Sequence, residues 1–167
     1  MELVVKHFKE LDTRELFEIY KLRTAVFVVE QKCPYQEVDD IDLNSYHVYL
    51  KQDDEILAYL RAIPKGFSFE DASLGRVIAV KRRCGLGTKI VQAGIKVVKE
   101  KFKTDKITIE AQVYARGLYE KCGFRQVGPE FLEDNIPHIK MSNYWHLFKY
   151  GHFVCKQVIE RNYNKDM

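Results

Sequence analysis

The 167-residue chain is long enough for one domain with a sizeable core, and 46% hydrophobic with 31% charged residues is ordinary for a soluble globular protein. A formal net charge of +3 is too small to indicate a nucleic-acid partner. The sequence shows no apolar run approaching 18 residues and no charged-then-apolar leader, so we expect a cytoplasmic protein that does not span a membrane.

The first third of the chain predicts a strand, a helix and an acidic loop. Residues 3–8 read as a strand, and Asp12 with Glu15 has the spacing of a capping box. The helix should end before Pro34, and an acidic loop follows at residues 37–42. The apolar stripe of the helix comprises Leu16, Ile19, Tyr20, Val26 and Phe27.

The middle of the chain predicts three strands and a second amphipathic helix. The strand candidates are residues 46–51, 56–63 and 74–80, the first two joined as a hairpin. The helix should run from about Thr88 to Phe102. Gly94 lies on its apolar face, where glycine lowers helix stability, so we expect Gly94 to mark a close approach to the sheet.

The last third predicts a strand at residues 106–111, a short helix at 115–122 and strands at 124–127 and 138–141. Gly123 suits the left-handed residue that ends a helix. The element order is β-α-β-β-β-α-β-α-β-β, which predicts a mixed α/β (α+β) sheet with helices on both faces.

The cysteines, Cys33, Cys84, Cys122 and Cys155, lie far apart and form no CxxC pair. We therefore expect free thiols in a reducing compartment. His146, His152 and Cys155 match no common zinc spacing, so we expect no bound metal.

The most informative segment is the glycine-rich turn at residues 82–88, between the predicted strand and the second helix. Unpaired amides at a helix N-terminus, together with the helix dipole, favour a phosphate or pyrophosphate. A P-loop needs Gly-Lys-Ser/Thr, but Gly87 precedes Thr88 and Lys89 in the wrong order, and Val80 holds the first glycine position. A dinucleotide fingerprint fails because Ile90 replaces its third Gly or Ala and the turn follows the fourth strand.

A third pattern fits. Arg82, Gly85 and Gly87 fill the fixed positions of a Gln/Arg-x-x-Gly-x-Gly/Ala motif, and Tyr119 precedes Gly123-Phe124 by four residues. Both resemble signatures of the GNAT family of acyl-CoA-dependent N-acetyltransferases. Further segments resemble its ElaA-type branch, and the likeness spans residues 16–141: Leu22-Arg23, residues 26–31, Pro34, Ala111-Gln112 and residues 136–141. The resemblance implies a GNAT fold whose mostly antiparallel sheet splays at its fourth and fifth strands.

By the same resemblance, acetyl-CoA lies between those two strands. Backbone groups of Val77 and Ala79 are expected to pair with pantetheine, and one amide to polarise the thioester carbonyl. Ile78, between them, is also expected to contact the cofactor. The residues expected to hold the pyrophosphate are Arg82, Arg83, Cys84, Gly85, Leu86, Gly87 and Thr88, and Gln112 occupies a cofactor-contact position. Tyr119 matches the residue expected to donate a proton as the C–S bond breaks; the thiol formed has an ordinary pKa of about 8.5 and a tyrosine one of about 10.

Two departures from the family pattern concern the phosphate turn. It is shorter by roughly two residues, and Cys84 replaces a small or polar residue. Both leave open which amide meets which phosphate oxygen.

The residue that takes the proton from the amine remains open. The candidates are Glu30, Glu37, His47, Glu110 and His138, each with structural support as the alternative role. His138 is favoured because it begins a strand near the expected acceptor groove, and we retain Glu30 and His138 as substrate-side candidates. The acidic loop at residues 37–42 either attracts a cationic amine or is simply solvated.

We therefore expect a GNAT domain at residues 1–141 and a C-terminal extension at residues 142–167. The apolar extension is expected to pack on the domain or on a second subunit, as in a homodimer. The leading function is acetyl transfer from acetyl-CoA to an amine of a small molecule or peptide. The alternative is a non-catalytic acyl-CoA-binding or protein-interaction module.

Overall fold

The computed structural model of the protein describes residues 1–145, and its elements follow the predicted order. The strands are β1 (Glu2–His7), β2 (Tyr46–Gln52), β3 (Glu55–Ile63), β4 (Ser73–Ala79), β5 (Lys106–Gln112), β6 (Arg125–Glu133) and β7 (Ile136–Tyr144). The helices are α1 (Thr13–Arg23), α2 (Leu86–Val97) and α3 (Arg116–Lys121). Wider π-helical turns extend α1 through Thr24–Glu30 and α2 through Val98–Phe102, and short 3-10 turns occupy Phe8–Glu10, Asp40–Asn44 and Val113–Ala115.

The predicted boundaries were wrong at three places. Strand β7 spans Ile136–Tyr144 where residues 138–141 were predicted, so His138 is its third residue and does not begin it. Helix α2 begins at Leu86, two residues before the predicted start, because Gly85 takes a left-handed φ of 83° and turns the chain directly into the helix. Strand β6 runs to Glu133, well beyond residue 127, and is followed by a tight turn in which Asp134 and Asn135 both have positive φ. Such turns hold two strands in hairpin register even where the edge strand is largely exposed.

The strands form two sheets that separate between β4 and β5. The first sheet has the order β1-β2-β3-β4 and the second β5-β7-β6, with antiparallel pairing throughout each sheet. In the described part of the chain a single parallel bridge joins them, between Ala72 and Ile107, where the Thr108 amide donates to the Ala72 carbonyl over 3.0 Å. Beyond that bridge the strands diverge, which confirms the predicted splay.

Helix α2 covers one face of the first sheet and continues the main apolar core. Ile90, Val91, Val97 and Val98 are buried against residues of β2, β3 and β5. A Cβ added at Gly94 would lie 2.7 Å from Leu60 Cδ2, so the helix axis approaches the sheet more closely than any larger residue would allow. The prediction for Gly94 is confirmed.

Helix α1 covers the opposite face with a smaller apolar cluster of Ile19, Tyr49, Tyr59 and Ile78. Its N-terminus has the predicted capping box, in which Asp12 accepts from the Glu15 amide over 2.8 Å. Helices therefore lie on both faces of the sheet, as predicted. Among residues 1–145, no helix combines the length and apolar character needed to cross a bilayer.

The chain after β7 begins against the core. The Trp145 amide donates to the Asp105 carbonyl over 2.9 Å, and Lys99 Nζ lies 4.1 Å from the centre of the Trp145 ring. The predicted C-terminal extension from residue 146 onward, including His146, His152 and Cys155, lies outside the described residues. The remaining cysteines, Cys33, Cys84 and Cys122, are free thiols.

Candidate active site

A cleft of about 1390 Å³ opens where β4 and β5 diverge. Its walls come from β4, β5, the turn before α2, the helix α3, the start of β7 and the segment after α1. Most of the residues singled out from the sequence line it: Glu30, Val77, Ile78, Ala79, Arg82, Arg83, Gly85, Gly87, Thr88, Glu110, Gln112, Tyr119 and His138. The fold thus gathers residues that are up to 108 positions apart in the sequence, from Glu30 to His138.

The turn before α2 presents unpaired backbone amides at one end of the cleft. Arg83 and Gly85 take left-handed φ angles of 60° and 83°, and the first intrahelical donor is the Lys89 amide, 3.1 Å from the Gly85 carbonyl. The amides of Leu86, Gly87 and Thr88 precede that donor and have no carbonyl of the helix to bind. Since α2 carries no side-chain cap, these amides and the helix dipole form a site suited to an anion.

Gly87 also brings α3 against this turn. A Cβ at Gly87 would lie 3.2 Å from Leu118 Cδ2, so the absence of a side chain lets the first turn of α2 contact α3.

The side chains of two residues of the turn point away from the cleft. The Cys84 thiol donates to the Lys81 carbonyl over 3.0 Å, and the Leu86 side chain packs into the apolar core. Only backbone atoms of Cys84 and Leu86 can therefore serve an anion.

Strand β4 has an irregularity that changes which amides face the cleft. The register pairs Tyr59 with Ile78 and Arg61 with Gly75, so two residues of β4, Arg76 and Val77, lie opposite the single residue Leu60. This is a β-bulge, and Arg76 adopts a φ of 54° within it.

The consequence of the bulge follows from the alternation of strand hydrogen bonds. Before it, the Ala72 carbonyl faces β5. After it, the Val80 amide donates to the Leu57 carbonyl of β3 over 3.0 Å, so Ile78 also faces β3. Val77 and Ala79 therefore direct their backbone groups into the cleft, which an unbroken strand would not do.

Tyr119 projects from α3 into the same cleft. It is 8% exposed, and its ring meets that of Phe124 edge-on at 5.7 Å. Burial, with smaller contributions from Tyr114 and Cys122, raises the pKa of Tyr119 above its ordinary value of 10, so the hydroxyl keeps its proton at neutral pH.

His138 and Gln112 lie side by side where β5 pairs with β7. His138 Nδ1 donates to the Ile136 carbonyl over 2.8 Å, because a carbonyl can only accept. This leaves Nε2 toward Glu133, whose Oε2 is 3.7 Å away. The Gln112 amide donates to Gln31 Oε1 over 3.3 Å and so joins the end of β5 to the segment after α1.

The other candidate bases differ in their surroundings. Glu30 is exposed and forms an ion pair with Arg82 of the phosphate turn. Glu110 lines the cleft from β5. His47 is fully buried beyond the cleft wall, where Nε2 donates to the Asp42 carbonyl over 3.2 Å and Nδ1 accepts from the Tyr59 hydroxyl over 2.8 Å. Burial lowers the pKa of His47 to about 4, and a ring committed to two internal partners does not serve as a base for a substrate.

Glu37 is likewise occupied, because it belongs to a closed ring of alternating charges. Its side chain is 4% exposed, and its Oε1 accepts from Arg23 Nε over 2.9 Å and from Arg76 Nε over 2.7 Å. The ring continues from Arg76 to Asp39 (3.6 Å), to Arg61 (2.6 Å), to Asp42 (2.9 Å) and back to Arg23 (2.7 Å). We call this set of side chains the charged ring.

The charged ring decides the role of the acidic loop. Burial alone would raise the pKa of Asp42, but hydrogen bonds and charges from Arg23 and Arg61 hold it below its ordinary value. Asp39 behaves in the same way through Arg61. The carboxylates of Glu37, Asp39 and Asp42 are therefore paired with arginines and form neither a free acidic patch nor a solvated one, whereas Asp40 of the same loop is exposed.

Sequence reasoning missed the arginines of this ring. One signal was present in the sequence: Arg61 and Arg76 interrupt otherwise apolar strands. Together with Arg23 they match in number the three loop carboxylates that they bind. A buried charge needs a partner, so such arginines predict carboxylates facing them.

Comparisons with known proteins agree with this architecture. The sequence model of the acetyltransferase (GNAT) domain family matches residues 13–144 of this chain. A UPF0039 protein of Schizosaccharomyces pombe is 41% identical over 145 residues, covering 84% of this chain and 95% of that protein. The structure of an acyl-CoA N-acyltransferase from Pseudomonas aeruginosa superposes with a TM-score of 0.80 at 35% identity, covering 86% of this chain and 99% of that one.

Similarity to ElaA of Escherichia coli is of the same order. The structure of ElaA superposes with a TM-score of 0.79 at 32% identity, covering 85% of this chain and 98% of ElaA. The domain match, the identity to these relatives and the splayed sheet agree with one another. The chain belongs to the GNAT family of acyl-CoA-dependent N-acyltransferases and, within it, to the ElaA-type branch.

Proposed function

We propose that the protein is an acetyl-CoA-dependent N-acetyltransferase that transfers an acetyl group directly to an amine of a small molecule or peptide. The observation that carries the proposal is the free edge of β4, whose Val77 and Ala79 backbone groups face a cleft with unpaired α2 amides at one end. A free strand edge can hold the amide groups of pantetheine, and the helix N-terminus suits pyrophosphate. The bound cofactor supplies an acyl group activated as a thioester.

The residues that would hold the cofactor fall into two groups. Amides of residues 83–88 and the Arg82 and Arg83 side chains would bind phosphate oxygens. Backbone groups of Val77 and Ala79 would position the acyl arm, whereas those of Ile78, expected from the sequence to contact the cofactor, face β3. Gln112 would contact the cofactor from the end of β5. Such positioning places the carbonyl carbon against the amine, and it lowers the barrier without any covalent step on the protein.

Tyr119 is proposed as the hydrogen-bond donor to the leaving sulfur. During transfer the amine nitrogen forms a C–N bond, the C–S bond breaks, and the sulfur leaves with the bonding electron pair. The ordinary pKa of a tyrosine, about 10, already exceeds that of a thiol, about 8.5, and burial raises the pKa of Tyr119 further, so full protonation of the thiolate by Tyr119 is uphill. Tyr119 therefore acts best by donating a hydrogen bond as negative charge develops on sulfur.

The amine must lose one proton, and His138 is the proposed acceptor. Its Nδ1 is held by the Ile136 carbonyl, which fixes the ring and leaves Nε2 directed to the side where Glu133 lies. Glu30 and Glu110 are the second choice, since both line the cleft and Glu30 is paired with Arg82.

We propose a cytoplasmic location, which suits the free thiols of Cys33, Cys84 and Cys122.

The test has two stages. Acetyl-CoA at 100 times its Kd should add about 2.7 kcal/mol to the free energy of unfolding. A panel of amines is then assayed for CoA release, and Tyr119→Phe should lower kcat by about 10²-fold while leaving the Kd of acetyl-CoA within a few-fold. Tyr46→Phe, at a half-buried site outside the cleft wall, is the matched control.

Each stage can contradict a different part of the proposal. Absence of stabilisation at millimolar acetyl-CoA would reject the cofactor. Binding without turnover of any amine would favour the acyl-CoA-binding module instead of the enzyme. Unchanged turnover in Tyr119→Phe would remove Tyr119 from the chemistry.

A further inference from the structure

We propose that Arg76 is a positioning residue, whose anchored guanidinium fixes the β4 bulge and thereby turns the backbone groups of Val77 and Ala79 toward the acyl arm, with one of the two amides directed at the acyl carbonyl. The inference rests on the proposed function, because it concerns the same thioester. It goes beyond that function by assigning the orientation of the strand edge to a side chain on the other face of the sheet.

The bulge is what turns these amides toward the cleft. Before the bulge, the backbone groups of even-numbered residues such as Ala72 are directed at β5; after it, those of even-numbered residues such as Val80 are directed at β3. The extra residue at the bulge causes this reversal. If the strand slipped to regular pairing, Ile78 would face the cleft and Val77 and Ala79 would face β3.

The backbone at Arg76 is strained, and a glycine would relieve the strain. Its φ of 54° lies in the left-handed region, which residues with a Cβ seldom adopt. The preceding residue, Gly75, is not among the residues with positive φ. A Cβ at Gly75 would lie 3.1 Å from Ile63 Cδ1 and 3.3 Å from Arg61 Nε, so a side chain there would require these neighbours to shift. The strained position thus holds an arginine while its neighbour holds the glycine.

The contacts of the Arg76 side chain explain why an arginine occupies the strained position, because they hold its guanidinium in place. Nε donates to Glu37 Oε1 over 2.7 Å and Nη2 to the Glu37 carbonyl over 3.1 Å. The guanidinium carbon lies 5.8 Å from the Phe27 ring centre and 5.3 Å from that of Tyr35. Strained conformations persist where the surroundings over-determine them, and these contacts do so here.

The anchor is itself rigid because it is part of the charged ring. Glu37 is also bound by Arg23, which is fully buried and bound to Asp42. The chain of contacts runs from α1 through the acidic loop to β4, so movement of the bulge requires the breaking of buried ion pairs. Arg76 is 21% exposed in its side chain and touches the cleft wall without pointing a free charge at it.

The experiment measures the acyl carbonyl directly, so it does not depend on the identity of the acceptor. Acetyl-CoA labelled with ¹³C at the carbonyl is bound to the wild-type protein, and the infrared band of that carbonyl is compared with the band in solution. Donation from a cleft-facing amide should shift the band to lower frequency. Arg76→Gly, which accepts the positive φ but lacks the anchor, should bind CoA within a few-fold of wild type and lose the shift.

Two further variants keep the result interpretable. Arg76→Lys retains the charge but not the two-pronged contact with Glu37, and it should recover only part of the shift. Arg23→Lys makes the same change in the ring arginine of α1, and it should lower the melting temperature while retaining the shift. With any accepted amine, Arg76→Gly should lower kcat by about 10²-fold, the effect of losing one oxyanion donor.

The outcomes separate the two proposals. Failure of the wild type to bind acetyl-CoA would reject the proposed function. Binding without a carbonyl shift, or a shift retained in Arg76→Gly, would overturn the role of Arg76 while leaving the function intact. Equal loss of the shift in Arg23→Lys would also overturn it, because the effect would then be general loosening.

Discussion

The two faces of the first sheet are supported by different physical means. Under α2 the contacts are apolar, with Ile90, Val91 and Leu60 fully buried. Under the end of α1 the buried side chains are largely the charged ring, beside a small apolar cluster. Apolar packing is non-directional and proportional to area, whereas ion pairs and hydrogen bonds require particular angles and distances.

The difference assigns separate tasks to the two faces. The α2 face supplies stability and carries the helix whose N-terminus offers amides to an anion. The α1 face fixes the orientation of the strand edge, because the charged ring joins a helix, a loop and the irregular strand β4 through contacts of defined geometry. Buried ion pairs contribute little net stability compared with a well-packed apolar core, so precision of orientation is their main contribution here.

The largest effect is expected from breaking the charged ring. Arg23→Met leaves Glu37 and Asp42 buried with one partner fewer, and each already has one carboxylate oxygen without a hydrogen bond. We expect a loss of about 3–5 kcal/mol in the free energy of unfolding, measured by urea denaturation. Arg14→Met, at an exposed position on α1, is the control and should change stability by less than about 0.5 kcal/mol. A loss below 1 kcal/mol for Arg23→Met would show that the ring is not rigid.

A second effect is expected on acidification, and it also belongs to the α1 face. The pKa of His47 is about 4 in the folded protein against about 6.5 when unfolded, so the unfolded chain binds more protons between these values. Stability should therefore fall by about 3 kcal/mol as pH drops from 6.5 to 4. The lowered pKa values of Asp39 and Asp42 extend the loss to still lower pH.

The matched variant is His47→Gln, since an amide can donate to the Asp42 carbonyl and accept from the Tyr59 hydroxyl. Denaturant unfolding at a series of pH values should show a flatter dependence between pH 6.5 and 4 in this variant. An unchanged slope would assign the acid sensitivity to other groups.

A smaller effect is expected from the apolar face. Ile90 is fully buried, and Ile90→Val removes one methylene group from a packed site. The expected loss is about 0.5–1.5 kcal/mol, with no change in the pH dependence. Lys96→Ala, on the exposed side of the same helix, provides the baseline. A loss comparable to that of Arg23→Met would contradict the contrast between the faces.

The smallest effect is expected at the cleft mouth. The ion pair of Glu30 with Arg82 joins side chains that are 54% and 68% exposed. Solvent screens such pairs, so Glu30→Gln should change the free energy of unfolding by no more than about 1 kcal/mol. Calorimetry at low and high salt would check this, and a large salt-sensitive loss would mean that the pair is better shielded than its exposure indicates.

Features set by local sequence were predictable, and features set by distant pairing were not. The capping box at Asp12, the glycine-rich turn at Gly85 and the close approach at Gly94 depend on neighbours a few residues away or on the choice of glycine alone. The contact of Arg76 with Glu37 joins residues 39 positions apart, and no local pattern encodes it. The bulge was missed for the same reason: its strained residue is an arginine, while the adjacent Gly75 serves packing.

Candidate bases were the least predictable part of the site. Glu37 and His47 have suitable chemistry, but burial among ion pairs and internal hydrogen bonds removes them from the cleft. Burial of an ionisable group is a property of the assembled core, so a list of residue types cannot reveal it.

The missing side chain at Gly87 bears on two of the proposed roles, cofactor binding at the turn and hydrogen-bond donation from α3. The same position offers an amide to the anion and yields its space to Leu118, the residue next to Tyr119. An added methyl group would lie 3.2 Å from Leu118 Cδ2, so the Leu118 side chain would have to give way by a few tenths of an ångström. Gly87→Ala would therefore alter the packing beside the proposed donor Tyr119 as well as the turn proposed to bind the cofactor phosphates, so this one substitution bears on both affinity and turnover.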